Sequence, residues 1–243
     1  IGEPAFFFYG WDFDGIFQTP GEAESYMGGS QHTLNASTAG DFRIKDTDGD
    51  GVITATDRTN IGNPFPKMTL GFDLNASYKG FDLNVFISGV YGNKLYNTNL
   101  YDLQAMPRLF NAGVEVLDRW TETNHSTSMP RAGAVAANAQ ASSRFIEDGA
   151  YTKLKNITLG YTLPANLLKN KLTKLRIYVS AQNMICITKY SGLDPEVGTY
   201  IASVPALGQI GTPQTTTQNY TNGIDRGNYP IPKSVIAGFQ ITF

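Results

Sequence analysis

Between Pro66 and Gly92 the chain alternates apolar and polar residues almost without interruption. Met68, Leu70, Phe72, Leu74, Ala76 and Tyr78 fall on one side, and Thr69, Gly71, Asp73, Asn75 and Ser77 on the other. A period of two sorts residues into faces only on an extended strand. Lys79-Gly80 offers a tight turn, after which Phe81, Leu83, Val85, Ile87, Gly89 and Tyr91 continue the apolar set against Asp82, Asn84, Phe86, Ser88 and Val90. This predicts an antiparallel hairpin whose arms exceed the roughly five or six residues usual in globular sheets.

The same pattern returns three times. Ile157, Leu159, Tyr161 and Leu163 oppose Thr158, Gly160 and Thr162, and Pro164 stops that strand. Leu175, Ile177, Val179 and Ala181 oppose Arg176, Tyr178, Ser180 and Gln182, and Val235, Ala237, Phe239, Ile241 and Phe243 oppose Ser234, Ile236, Gly238, Gln240 and Thr242. Ala5 to Phe17, aromatic on both sides of the pleat, reads as a further strand, giving six. The second face carries Thr, Asn, Ser and Gly where a soluble sheet would carry Lys and Glu. Only 16% of residues are charged, against roughly 25% in an average soluble domain. An apolar side toward lipid and a polar side toward a wet lumen explains both facts.

Connection lengths support that reading. Residues 18–66, 93–149 and 189–231 are long, whereas 79–80 and 165–172 are short, and every short link falls on one side. Outer-membrane barrels have short periplasmic turns and long extracellular loops. Residues 18–40 read as loop, and within 93–149 only Val114 to Trp120 suggests a helix. No apolar run is long enough for a transmembrane helix, which is silent about membrane strands. The fold class expected is all-β: an antiparallel transmembrane β-barrel segment with long extracellular loops. Six strands cannot close a barrel, and Ile1 follows neither a methionine nor a signal segment. All of residues 1–243 are therefore expected to be the C-terminal part of a larger barrel, or a piece of a cleaved one.

One long loop carries a metal motif. Asp46, Asp48 and Asp50 occupy positions 1, 3 and 5, Gly51 position 6, Val52 position 7 and Asp57 position 12 of an EF-hand-type calcium loop. Ile53, at position 8, would anchor the loop to a core. Position 12 is Asp rather than the usual Glu, and the flanks are not helical, since Phe42 to Lys45 alternates like a short strand and Pro64 and Pro66 follow. The expected ligands are the Asp46, Asp48, Asp50 and Asp57 carboxylates and the Val52 carbonyl, holding structural Ca2+. The plainer alternative is a solvated Asp/Gly turn without metal.

Several motifs together carry a family likeness. Gly2-Glu3-Pro4, Tyr9-Gly10, Asp14 to Phe17, Asp46 to Pro64, Gly71-Phe72, Tyr78 to Leu83, Tyr91-Gly92-Asn93, Arg119-Trp120, Ser143 to Gly149, Leu154 to Tyr161, Gln182-Asn183, Lys189 to Glu196 and the terminal Phe243 resemble the C-terminal region of SusC/RagA-type TonB-dependent outer-membrane transporters. The resemblance runs through the chain in order. Met184-Ile185-Cys186 departs from the family's more frequent Leu-Phe. The resemblance implies about the last six strands of a barrel of about 22, closed inside by a plug that belongs to the N-terminal part. It also implies a SusD-like surface lipoprotein as lid, energy from a TonB complex, and oligosaccharides or peptides as substrate.

Other chemistries find little support. A net charge of −2 offers no field for nucleic acid, and the one cysteine, Cys186, builds neither an intrachain disulfide nor a thiolate cluster. His32 and His125 lie in different loops. Glu147 and Asp148 are neighbours on a strand pattern and so point apart. An enzyme is not expected. Trp11 and Trp120 could stack on sugars, though girdle or core positions are commoner for such residues. Asp194 and Glu196 could add to a metal or substrate site, but Pro195 between them suggests a turn first. Two other classes stay open: a secreted calcium-stabilised β-sandwich or adhesin domain, and a passive porin.

Overall fold

A computed structural model describes residues 2–4, 6–26, 37–106, 111–133, 138, 140–164, 167, 172–198, 200–203 and 218–243. In chain order the elements are β1 (Phe8–Gly10), β2 (Phe13–Ile16), α1 (Pro20–Tyr26), β3 (Phe42–Ile44), β4 (Thr59–Gly62), β5 (Met68–Tyr78), β6 (Phe81–Tyr91), β7 (Lys94–Asn97) and α2 (Thr98–Gln104). There follow β8 (Ile146–Asp148), β9 (Tyr151–Thr162), β10 (Lys174–Thr188), β11 (Tyr200–Ser203), β12 (Gln218–Thr221), β13 (Ile224–Asp225) and β14 (Ser234–Thr242). They divide between two compact units.

The sheet unit comprises Pro66–Asn93, Asp148–Pro195 and Tyr229–Phe243. Its five strands lie in the order β14-β10-β9-β6-β5, all antiparallel, so each pairs with its neighbour in the chain. Lys79 and Gly80 both have positive φ, 48° and 88°, as a two-residue hairpin turn of the strand-matching hand requires. Register converts the alternation into faces. Leu74, Val85, Ile157, Ala181 and Val235 form one apolar rung, and Tyr78, Phe81, Tyr161, Ile177 and Phe239 an aromatic-rich one beside the short turn. The apolar face is exposed, with Phe72 at 56% and Phe239 at 68%.

Between Gln182 and Ile185 the register of β10 against β9 shifts, Gln182 pairing with Asn156 and Ile185 with Leu154. Asn183, at φ 54°, accommodates this bulge in the left-handed region that Asn tolerates. Beyond it Ile185 and Ile187 return to the apolar set, so the strand extends to Thr188, past the end that simple alternation predicts.

The loop unit comprises Ile1–Phe65, Lys94–Glu147 and Glu196–Asn228. Its core consists of Trp11, Ile16, Phe42, Ile44, Ile53, Ala105 and Phe145, flanked by Phe13, Tyr26, Tyr96, Leu100, Tyr101 and Trp120. Here the expected N-terminal wall strand is corrected. Ala5 to Phe17 breaks into β1, paired with β4, and β2, paired with β3, and neither joins the large sheet, which therefore has five strands rather than six. Aromatic residues on both sides of the pleat suit a small core, whereas a barrel wall needs one polar side. The long connections also hold α1, β7 and α2, which the lack of a sustained period hid, and Val114–Asp118 is a short 3-10 helix.

Candidate functional site

The acidic loop is built from its own backbone. Asp46 accepts from the N–H groups of Gly49 through Oδ1 (2.6 Å) and Gly51 through Oδ2 (2.8 Å), Asp48 from that of Asp50 (3.2 Å), and Asp50 from that of Val52 (2.8 Å). Gly49 and Gly51, at φ 77° and 82°, allow the tight path. Carboxylate oxygens of Asp46, Asp48 and Asp50 lie within 4.8 Å of one another. The Gly51 N–H, with that of Gly49, holds the Asp46 carboxyl below its ordinary value, against the opposing effect of burial.

Asp57 is not one of these three mutually close carboxylates, although its side chain interacts with that of Asp46. It is fully buried, with Oδ1 accepting the Thr47 N–H (2.7 Å) and Oδ2 the Thr54 N–H (2.8 Å). With Thr54 as N-cap it closes a capping box on the 3-10 turn Ala55–Asp57. Ile53 is buried in the loop unit's core, the anchoring role its position suggested. A second buried carboxylate, Asp41, takes Arg131 through two bonds of 2.8 and 3.1 Å, plus the Asn138 amide at 3.1 Å.

On the sheet unit the polar face is a connected ladder. The Asn84 amide donates to Asp73 (2.9 Å) and Asn75 (2.8 Å), Asn156 donates to Asn84 (2.7 Å), Ser180 to Asn156 (2.9 Å) and Thr158 to Ser180 (2.8 Å). Four adjacent strands are thereby linked by uncharged donors and acceptors plus one carboxylate. Further along, Arg176 donates to both oxygens of Asp82 and to Gln240. Lys153 and Asp194 form a buried ion pair of 2.6 Å. Sequence reasoning missed these partners, because side chains meet across strands only once register is known. Two lysines, Lys153 and Lys155, in the otherwise uncharged β9 were the available signal.

The remaining candidates separate clearly. Trp11 is buried, beneath the Arg58 guanidinium at 5.1 Å, and presents no ring to a ligand. Trp120 is half-buried and donates to Gln18 (3.3 Å). Glu147 accepts from Asn97 and Asp148 from the Ala150 N–H, so the two carboxylates do not pair. Asp194 is an ion-pair partner inside the turn expected there. His125 packs on Trp120, and His32 lies outside the described residues.

Comparison with known proteins agrees with this architecture. No protein-family model matches the chain. TonB-dependent receptor P3 of Formosa agariphila is 31% identical over 243 residues, covering 100% of this chain and 22% of that receptor. TonB-dependent receptor SusC of Bacteroides thetaiotaomicron is 30% identical over 204 residues, 82% of this chain and 17% of the receptor. Among solved structures, a chain of the RagAB peptide transporter superposes with a TM-score of 0.73 at 26% identity, over 98% of this chain and 22% of that one. The RagAB peptide importer in its open-open state gives the same score and identity. The chain thus spans about a fifth of the relatives it matches.

Proposed function

We propose, of a chain that belongs to the TonB-dependent receptors of the SusC/RagA type, that it supplies C-terminal strands to an outer-membrane β-barrel importing oligosaccharides or peptides. A SusD-like surface lipoprotein lids that barrel, a plug from the rest of the receptor fills it, and a TonB complex energises it. The observation that carries the barrel is the five-stranded meander with one exposed apolar face and one hydrogen-bonded polar face. In water such a face would be an aggregation site; against lipid it is the stable arrangement. A secreted sandwich would need those residues buried under a second sheet, and they are exposed.

Leu74→Arg places a charge in the middle of the apolar face and is expected to cost about 2–4 kcal/mol of insertion. Thr158→Arg, on the polar face, is expected to leave insertion intact. Outer-membrane fractionation with uptake of labelled oligosaccharide or peptide reads both: Leu74→Arg lowers receptor in the membrane and uptake in proportion. Recovery of the unsubstituted receptor in the aqueous fraction, or equal effects of the two substitutions, overturns the reading.

The acidic loop is read as a calcium staple using the carboxylates of Asp46, Asp48, Asp50 and Asp57 and the Val52 carbonyl. The all-oxygen donor set and the convergence of three carboxylates support it. Calcium at ten times its Kd then stabilises the loop unit by about 1.4 kcal/mol. The expected result is a melting temperature raised by calcium, returned to its starting value by chelator and insensitive to calcium in Asp48→Ala, which removes the position-3 oxygen altogether; a midpoint equally raised by magnesium, or unmoved, counts against the staple.

A further inference from the structure

The loop unit contains an open cavity of about 430 Å3 whose wall is mostly apolar, formed by Phe6, Phe7, Phe8, Tyr9, Ile61 and Tyr96. Its polar side groups are few: Thr98, Asn222 and Arg226 stand among them. The Thr98 hydroxyl is already committed, donating to the carbonyl of Asp225. Arg226 is exposed, and among the described residues its guanidinium has no hydrogen-bond or ion-pair partner. The Tyr96 hydroxyl likewise has no hydrogen-bond partner among them. Burial pushes that phenol up to about 12, so it stays a donor at any physiological pH. At the lip, Phe6 adopts φ 62°, a conformation that aromatic residues rarely take outside strained or functional positions.

We propose that this cavity binds peptides by their C-terminal residue, with the apolar side chain against the aromatic wall and the terminal carboxylate on Arg226. The proposal rests on the importer reading and names the substrate class within it. The chemistry of the wall selects between the two classes. A sugar carries a hydroxyl on nearly every ring carbon, and each one buried here without a partner is penalised. An apolar side chain incurs no such penalty, and aromatic walls give it extensive contact. A carboxylate is the planar, two-oxygen anion that a guanidinium fork matches. Ligand sites of this kind combine an apolar enclosure with a few polar groups that fix orientation.

The test is fluorescence anisotropy on the detergent-purified receptor with an N-terminally labelled hexapeptide ending in Phe, as free acid and as amide. The acid is expected to bind saturably and about tenfold more tightly than the amide, the size of one charge-assisted contact. Arg226→Gln is expected to weaken the acid about tenfold and leave the amide unchanged. Ala141→Phe, at an exposed alanine of the cavity rim, removes binding of both, and a neutral hexasaccharide does not compete. Equal affinities for acid and amide, an Arg226→Gln variant indistinguishable from the parent, or full competition by the hexasaccharide overturns the proposal. Because Arg226→Gln alters an exposed side chain, its result stands whether or not Ala141→Phe folds. A receptor that inserts and imports but fails these measurements loses the cavity and keeps its transport role. One that binds the acid through Arg226 but is recovered as a soluble protein loses the transport role and keeps the cavity.

Discussion

Asp194→Ala is expected to destabilise the sheet unit by about 3–5 kcal/mol, the range for removing one partner of a buried ion pair. Lys153 Nζ lies 2.6 Å from Asp194 Oδ1, and the two residues are 4% and 8% exposed. With Asp194 gone, an ammonium remains where water reaches poorly, against the Tyr151 ring at 5.3 Å. Asp194 Oδ2 also accepts the Ile231 N–H at 3.4 Å, so one carboxylate ties together both ends of the long connection between β10 and β14. The double variant Lys153→Met/Asp194→Leu is expected to recover most of the loss, since matched apolar replacements of buried pairs are often neutral. The exposed Arg43–Asp14 pair supplies the contrast: its loss is expected to cost no more than about 1 kcal/mol. Urea unfolding of the detergent-folded receptor reads all three. A single variant no less stable than the double would show that the pair contributes no coupling.

Faces were legible in the sequence where one rule governs every residue. In β5 and β6 each residue meets either an apolar or a polar surrounding, so a period of two names both strands, their turn and their pairing. The rule fails at Asn183, where a polar residue at a bulge interrupts the apolar set and hides the last third of β10. It fails again in the N-terminal segment, where Phe8, Trp11, Ile16 and Phe17 are buried while Phe6 and Tyr9 are exposed, so aromatic residues on both sides of the pleat do not separate wall from interior. The tight acidic turn from Asp46 to Val52 was legible through its Asp and Gly spacing, and Ile53 is buried as its position implied. The capping role of Asp57 was not, since the same carboxylate that suits position 12 of a metal loop also suits the third residue of a helical turn. The aromatic cavity had no signature, because Phe6 to Tyr9, Ile61, Tyr96 and Arg226 are brought together only by tertiary structure.

Phe145→Ala is expected to cost about 3–5 kcal/mol, the usual range for an aromatic truncated in a packed core. Its ring is fully buried and meets Tyr101 edge-on at 5.2 Å, with Phe42 at 6.3 Å and Tyr96 at 6.4 Å. Arg144 beside it spreads its guanidinium over Phe13 and Phe42, at 5.4 and 5.3 Å, covering the same cluster. The Ser143 to Gly149 motif therefore acts by packing: its phenylalanine is where strands from the N-terminal segment and helix α2 converge. Because Ile53 belongs to that cluster, loosening it also frees the anchor of the acidic loop, and under the proposed calcium staple the affinity for calcium is expected to fall along with stability. The sheet unit holds itself together through its own ladder, so the damage is expected to stay local. Hydrogen exchange followed by mass spectrometry resolves this: β2, β3 and the acidic loop gain exchange in Phe145→Ala, β5 and β6 do not, and Phe145→Leu, nearer in volume, costs under about 1.5 kcal/mol. Uniform acceleration across both units would mean that the core of the loop unit also supports the barrel wall, and that the two fold as one cooperative body.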